Sequence, residues 1–191
     1  MIDANTLLYA LLGDPVSHSL SPVMHNSAFL HTGYNGVYLA FRVEEIGAAV
    51  SGIKALGVKG ASVTIPHKVS VMEFLDDLDE KAERIGAVNT IINREGKLIG
   101  VNSDCLGAVK ALSEKTTIKD KDVVILGAGG AARAIGFGIV SEGGRITILN
   151  RSRDNGERLA KDLDAGFRPL LEIKETACQI LINATPVGMV P

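Results

Sequence analysis

The sequence has few cysteines and almost no excess of charge of either sign. Its two cysteines, Cys105 and Cys178, lie far apart and show no spacing typical of a disulfide framework, which favours a reducing compartment. The formal net charge is −2. Nothing in the overall charge therefore favours binding to nucleic acid or to an anionic membrane surface.

Long hydrophobic runs are also lacking. A membrane-spanning helix needs about 18 or more apolar residues, and the longest candidate, Val123 to Val140, is interrupted by Arg133 and by glycines. The first residues, Met1 to Asn5, carry no basic side chain of the kind that opens a signal peptide. We expect a cytoplasmic protein, monomeric or homodimeric, whose partner is a small molecule rather than nucleic acid or a membrane.

The four histidines show no metal-binding pattern. No helical histidine pair with a nearby carboxylate, as zinc sites use, can be built from His18, His25, His31 and His67. We predict no metal site, and we interpret His18 and His67 as residues that shape loops.

Short apolar runs alternate with segments of helical character. This alternation predicts an α/β fold with mostly parallel strand pairing. The predicted strands are 7–12, 37–41, 60–65, 89–92, 97–101, 122–126 and 145–149. The predicted helices are 21–31, 44–56, 66–85, 104–112 and 133–140. Asn93 to Gly96 predicts a hairpin turn. We expect two domains, an α/β substrate-binding and catalytic domain (1–103) and a Rossmann-like dinucleotide-binding domain (104–191).

A glycine-rich turn joins the strand 122–126 to the helix 133–140. Gly127, Gly129 and Ala132 fit the pattern G-x-G-x-x-G/A, in which the first glycine allows a tight turn and the second lets the backbone approach a pyrophosphate. The third small residue lets helix and strand pack closely, and the helix N-terminus favours an anion. The pattern indicates dinucleotide binding, with a purely structural turn as the alternative.

The residues after the next strand discriminate between dinucleotides. A carboxylate there would bind the ribose 2′-hydroxyl of NAD, but the chain has Asn150, Arg151, Ser152 and Arg153. Because an arginine can bind a 2′-phosphate through charge-assisted bonds, the sequence favours NADP. The alternative is that both arginines are solvated charges ahead of a surface helix.

Polar side chains cluster in four short segments of the first domain and its end. Ser17 and Ser19 lie in a loop before a helix, Thr64 and Lys68 stand at a strand end, and Asn89 and Asp104 stand in two further segments. In an α/β sheet such loops gather where strands end. Hydroxyls, an amide, an amine and a carboxylate suit a polyhydroxylated anionic molecule. Taken singly, Lys68 could be a surface lysine and Asp104 a helix N-cap.

Seven segments together resemble the shikimate dehydrogenase family, in the family's order and over essentially the whole chain. They are 13–22 (GDPVSHSLSP), 63–68 (VTIPHK), 86–90 (GAVNT), 102–104 (NSD), 127–132 (GAGGAA), 150–152 (NRS) and 182–189 (INATPVGM). The glycine turn is generic, whereas the serine loop together with the TIPHK segment is specific to the family. The resemblance implies NADP-linked interconversion of 3-dehydroshikimate and shikimate in aromatic amino-acid biosynthesis.

The resemblance also implies a role for each matching residue. Ser17 and Ser19 would bind the substrate carboxylate, and Thr64, Asn89 and Asp104 the ring hydroxyls. Lys68 and Asp104 would form the catalytic pair, either being a candidate proton donor. The implied cofactor contacts are Gly127, Ala128, Gly129, Gly130 and Ala131 at the pyrophosphate, Asn150, Arg151, Ser152 and Arg153 at the adenosine phosphate, and Thr185 and Met189 at the nicotinamide.

The chain departs from the family's pattern in three ways. Ser62 replaces the usual asparagine, and Ser103 replaces the usual threonine. The family also continues beyond Pro191, with further nucleotide-domain residues and a helix that returns to the first domain, so we expect the second domain to be truncated. Two alternatives follow: a quinate/shikimate dehydrogenase, and a truncated form that binds ligand without turnover.

Overall fold

The computed structural model describes residues 2–188, so the predicted cofactor contact Met189 lies outside the described residues. The chain divides into two compact units between Asn102 and Ser103.

The first unit is built on one six-stranded sheet in the order β2-β1-β3-β5-β6-β4. Its strands are β1 (Leu7–Gly13), β2 (Gly36–Arg42), β3 (Gly60–Val63), β4 (Asp77–Leu78), β5 (Thr90–Arg94) and β6 (Lys97–Val101). Its helices are α1 (Ser21–Thr32), α2 (Ile46–Ala55), a 3-10 helix (Ser70–Phe74) and α3 (Glu80–Ile85). The main core lies between this sheet and α2, with Val50, Val63 and Ile91 among its buried side chains.

The sheet of the first unit is mixed, with three parallel and two antiparallel strand pairings, so the predicted parallel pairing holds for most of it but not for β5. Strand β1 pairs in parallel with β2 and β3, but β5 runs antiparallel to both β3 and β6. The predicted hairpin is confirmed. Arg94 pairs with Lys97 across a two-residue turn, whose Glu95 and Gly96 both have positive φ, as the mirror-image hairpin turn requires.

The single helix predicted over 66–85 is wrong. The chain forms the 3-10 helix, then β4, then α3, because Asp76 ties this region to β6: its amide donates to Leu98 O (3.0 Å) and its carboxylate accepts from Leu98 N (2.7 Å). That hydrogen bond, together with the Lys54 ammonium, lowers the pKa of the Asp76 carboxyl. Asp79 then caps α3 by accepting from Ala82 N at 2.7 Å.

The second unit has a four-stranded, all-parallel sheet in the order β10-β7-β8-β9. Its strands are β7 (Asp122–Leu126), β8 (Arg145–Asn150), β9 (Gly166–Pro169) and β10 (Ile180–Asn183). Its helices are α4 (Asp104–Ser113), α5 (Gly130–Ser141), α6 (Arg153–Asp162) and a 3-10 helix (Leu170–Glu175). Ile125, Ile139 and Ile148 are central in its core. The alternation of parallel strands with helices is that of a Rossmann-like unit.

Within the part of the chain that the structure describes, no helix is long and apolar enough to cross a membrane. Over the same residues, no cluster of three or more histidine, cysteine or acidic side chains is arranged to hold a metal ion.

Two glycines on the packed helices α4 and α5 have opposite surroundings. A Cβ on Gly138 would lie 2.7 Å from Val109 Cγ2 and 3.3 Å from Cys105 O, whereas a Cβ on Gly107 would meet nothing within 4 Å. Gly138 is buried and Gly107 is exposed. Gly138 therefore sets how closely the two helices approach.

We expect Gly138→Ala to lower the free energy of unfolding by about 1–3 kcal/mol, because the added methyl group forces α4 and α5 apart. The matched control Gly107→Ala should raise it by up to about 1 kcal/mol, because alanine is the better helix former. Urea denaturation of both variants measures the difference. Equal effects would contradict close packing at Gly138.

Candidate functional site

Four strand ends of the first unit lie along the same margin of its sheet. Because β1 and β3 are parallel, both end there; because β5 is antiparallel to β3 and β6, β5 begins there and β6 ends there. The predicted residues Ser17, Ser19, Thr64, Lys68 and Asn89 all lie in the segments attached to these ends. We call these five residues and their segments the polar margin.

The serine loop follows β1 and is held against the segment after β3. Asp14 N donates to Ile65 O (2.8 Å), and Ser19 N donates to Val16 O (3.0 Å). A Cβ on Gly13 would lie 2.3 Å from Thr64 Cγ2 and 2.9 Å from Ile65 O, so only glycine allows this approach. The loop leaves Ser17 exposed and Ser19 half-buried.

The segment after β3 carries Thr64 and Lys68, both half-buried. Thr64 N donates to Leu12 O at 2.9 Å, which extends the pairing of β1 and β3 beyond the strand. His67 is buried and its Nε2 lies 2.7 Å from Val43 O, so Nε2 carries the proton and donates it. The imidazole thus anchors the turn that presents Lys68, as predicted for a loop-shaping residue.

Asn89 joins three strand ends through its backbone. Its N–H donates to Val101 O (3.1 Å), and its carbonyl accepts from Val63 N (2.8 Å). Its side-chain Oδ1 accepts from the Thr90 hydroxyl at 2.9 Å. One residue earlier, Val88 N donates to Lys68 O at 2.7 Å. These bonds bring the lysine and asparagine segments together.

Asp104 belongs to the second unit and is the first residue of α4. The N-cap of α4 is Ser103. The alternative that Asp104 is the N-cap is therefore wrong. Asp104 is half-buried, and a carboxylate in the first helical turn interacts favourably with the helix dipole.

The first unit also contains a cavity of about 640 Å³ that is lined by none of the residues Ser17, Ser19, Thr64, Lys68 and Asn89. Its aromatic lining includes His25, Phe29 and Tyr38, and Tyr9 and Tyr34 share a hydroxyl hydrogen bond at its wall. Burial and this bond raise the pKa of the Tyr9 hydroxyl to about 12, so the phenol stays protonated at neutral pH. Among the described residues, the lining of this cavity contains no carboxamide, and Lys59 is its one charged side chain.

In the second unit, the parallel strands β10, β7 and β8 are neighbours and end side by side. The glycine turn follows β7. Gly127 has φ of +106°, which favours glycine, and its N–H donates to Leu149 O (2.8 Å). A Cβ there would lie 3.0 Å from Thr185 Cγ2 and 3.1 Å from Ala184 O. The first glycine is therefore required by both conformation and packing.

Gly129 differs, because neither strain nor protein packing explains it. It is the N-cap of α5 with φ −89° and ψ −174°, which other residues adopt, and a Cβ on it would meet no atom within 4 Å. A side chain there would instead fill the open space in front of the α5 N-terminus, where a phosphate needs close approach to backbone N–H groups. Ala132 is fully buried between helix and sheet. The turn thus fits a dinucleotide pyrophosphate.

The segment after β8 presents the two predicted arginines differently. Arg153 Nε is paired with Glu157 Oε1 at 2.7 Å, one helical turn along α6. Arg151 is exposed and forms no ion pair or hydrogen bond with any residue that the structure describes. Asn150 Nδ2 donates to Ser152 O (2.8 Å), so it shapes the turn that begins α6.

The loop after β10 is organised by Asn183, which belongs to the segment 182–189 but was not predicted as a site residue. Its Oδ1 accepts from both Thr185 N (3.0 Å) and Thr185 Oγ1 (2.6 Å), and its Nδ2 donates to Val187 O (2.8 Å). Asparagine ahead of a turn commonly bonds the backbone two residues on, and this was the available sequence signal. Asn183 fixes Thr185 beside the glycine turn.

The geometry of the second unit defines a class: a protein with a Rossmann-like dinucleotide-binding unit. Comparison with known families agrees. Residues 11–91 match the shikimate dehydrogenase substrate binding domain, and residues 109–187 match the family shikimate / quinate 5-dehydrogenase.

Individual relatives are similar over all or nearly all of the chain. The shikimate dehydrogenase (NADP(+)) of Methanocaldococcus jannaschii is 45% identical over 203 residues, covering 100% of this chain and 72% of the relative. A crystal structure of a shikimate dehydrogenase in complex with NADP+ matches with a TM-score of 0.91 and 46% identity, over 100% of this chain and 70% of that one. The Thermus thermophilus enzyme in complex with NADP(H) and shikimate matches with a TM-score of 0.83 and 36% identity, over 96% of this chain and 70% of that one. The chain belongs to the shikimate dehydrogenase family.

We expect Gly129→Ala to weaken NADP binding by about tenfold or more, because its methyl group would hold the pyrophosphate away from the backbone N–H groups. The free energy of unfolding should change by less than about 1 kcal/mol, since only the cap preference differs. Calorimetric titration with NADP and urea denaturation measure the two effects. Unchanged NADP affinity would contradict the assignment of this turn.

Proposed function

We propose that this chain is an NADP-dependent shikimate dehydrogenase, which interconverts 3-dehydroshikimate and shikimate. One observation carries the proposal: the same chain contains both the polar margin and a dinucleotide-binding turn. After the next strand, β8, it has an arginine, Arg151, where a carboxylate would favour NAD. Its relatives are named shikimate dehydrogenase (NADP(+)), and a structure of one family member is solved with NADP(H) and shikimate. The activity places the protein in the shikimate pathway of aromatic amino-acid biosynthesis.

We assign the substrate to residues 1–103 and NADP to residues 104–191. Ser17 and Ser19 would bind the substrate carboxylate through their hydroxyls, and Thr64 and Asn89 would bind ring hydroxyls. Ser19, Thr64 and Asn89 support this assignment. The backbone of each residue is fixed by hydrogen bonds, and each residue remains partly exposed to solvent.

NADP would be held by the turn 127–131, by the segment 150–153 and by Thr185. Backbone N–H groups at the α5 N-terminus would bind the pyrophosphate, and Arg151 would bind the 2′-phosphate. When bound, the reduced nicotinamide supplies the hydride for the ring ketone.

Lys68 and Asp104 are the proposed catalytic pair. The Lys68 ammonium would stabilise negative charge as it develops on the ketone oxygen, and such stabilisation is worth more in a water-poor site than in solution. Asp104 would bind a neighbouring hydroxyl of the substrate. Proton delivery to the oxygen completes the reduction.

We further propose the cytoplasm as its compartment, consistent with free thiols at the two cysteine positions. Monomer and homodimer are both compatible with the proposal, and light scattering during size-exclusion chromatography distinguishes them.

Quinate is the second candidate substrate, because the family that matches residues 109–187 covers shikimate and quinate dehydrogenases. The absence of a carboxylate after β8 favours the NADP-linked shikimate reaction. Initial rates with each acid, followed by the absorbance of the reduced nicotinamide, decide between them. A higher kcat/KM with shikimate and NADP supports the proposal. A preference for quinate and NAD, or ligand binding without turnover, contradicts it.

We expect Arg151→Ala to raise the Kd for NADP by about tenfold or more, since it removes a charge-assisted bond to the 2′-phosphate. The Kd for NAD should change little. Arg153→Ala is the matched control; its effect should be smaller, because Arg153 is paired with Glu157. Equal losses for NADP and NAD in Arg151→Ala would overturn the cofactor assignment.

We expect Lys68→Met to lower kcat by about a hundredfold or more, because it removes the charge that stabilises the developing alkoxide. Methionine preserves much of the side-chain length, and the Lys68 carbonyl still accepts from Val88 N. The Kd for NADP, measured by calorimetry, should stay within about twofold. Undiminished turnover would exclude Lys68 from the chemistry.

A further inference from the structure

The last residue of the first unit, Asn102, has a buried carboxamide to which no role has yet been assigned. It follows β6 and is 7% exposed, and with His67 it forms the pair of buried polar side chains among the described residues. Its Nδ2 donates to Ala87 O at 2.8 Å. A buried polar group of this kind is costly unless it is hydrogen-bonded, so the contact is specific.

Ala87 begins the short segment 87–89 that connects the parts of the polar margin. Val88 N donates to Lys68 O (2.7 Å), Asn89 N donates to Val101 O (3.1 Å), and Val63 N donates to Asn89 O (2.8 Å). Ala87 and Val88 are fully buried. A displacement of Ala87 would therefore move both the lysine segment and the asparagine.

We propose that Asn102 is a positioning residue for the substrate site: its carboxamide fixes segment 87–89 and, through it, Asn89 and the backbone of Lys68. The proposal rests on the proposed function, since it is the substrate role of the polar margin that gives the positioning its consequence.

Loss of the Asn102 donor leaves the Ala87 carbonyl buried without this partner. A buried carbonyl that loses its donor gains by shifting toward another donor or toward water. Such a shift changes the geometry at the polar margin, where small misplacements of substrate-binding groups reduce rate strongly. The NADP-binding turn lies in the other unit and should be unaffected.

The test compares Asn102→Asp, which keeps the side-chain shape and removes the amide donor, with Asn102→Ala. We expect kcat/KM for shikimate to fall by about tenfold or more in both variants, with the Kd for NADP within about twofold of wild type. A general loss of stability would not lower kcat/KM for shikimate while leaving the Kd for NADP unchanged.

Asn93→Ala is the matched control. Asn93 Nδ2 also donates to a backbone carbonyl, Val58 O, at 2.8 Å, but from the hairpin end of β5. This variant should lose stability while keeping kcat/KM for shikimate. If the Asn102 variants keep wild-type kcat/KM, or if Asn93→Ala loses as much, the proposal is overturned.

Amide hydrogen exchange supplies a readout independent of turnover. In Asn102→Asp, the amides of Val88 and Asn89 should exchange at least about tenfold faster than in wild type, whereas in Asn93→Ala they should not. Unchanged protection of both amides would overturn the positioning role. A wild-type protein that does not turn over shikimate would instead overturn the proposed function, and the exchange rates would then decide the role of Asn102.

Discussion

The arrangement of the first unit depends on one reversal of strand direction. Strand β5 runs antiparallel between β3 and β6, so its beginning lies beside their ends. Asn89, just before β5, closes this junction by donating to Val101 O and accepting from Val63 N. In an all-parallel sheet the residue before a strand would lie at the opposite margin. The reversal therefore places an asparagine that precedes a strand beside a threonine and a lysine that follow one.

The second unit gathers its polar groups by a different route. Its four strands are all parallel, and β10, β7 and β8 end side by side. The Thr185 loop, the glycine turn and the arginine segment each follow one of these ends. Parallel topology alone is sufficient here, because every contributing segment leaves the carboxyl end of its strand. Gly127 then allows the turn to approach the Thr185 loop closely, since any Cβ would press on Ala184 and Thr185.

Local sequence patterns correctly predicted the elements whose conformation depends on neighbouring residues. The strand 122–126 and the hairpin turn at Glu95 and Gly96 agree with the structure, because burial and turn chemistry act within a few residues. The prediction of one helix over 66–85 was wrong because this region is shaped by two hydrogen bonds between Asp76 and Leu98. These residues are far apart in sequence, so no local pattern shows the contact. For the same reason, no local pattern predicted that the Asn102 side chain bonds Ala87 O, or that β5 lies antiparallel beside β3.

The sequence predicted the candidate site residues better than the side chains that hold their segments in place. The motifs selected Thr64, Lys68 and Asn89, and the topology brings their segments to one margin. What holds them, the buried carboxamide of Asn102 and the imidazole of His67, acts on backbone carbonyls, Ala87 O and Val43 O. Backbone partners leave no trace in side-chain identity, so sequence alone could not pair them.

We propose that shikimate binds at the polar margin of the first unit. Backbone amide chemical shifts, measured by NMR during a titration with shikimate, test it most directly. We expect the largest changes on Ser19, Thr64, Lys68 and Asn89, with little change at Gly96 in the hairpin turn. Changes concentrated instead on the aromatic cavity around Phe29 and Tyr34, or the absence of any change at the margin, would contradict it.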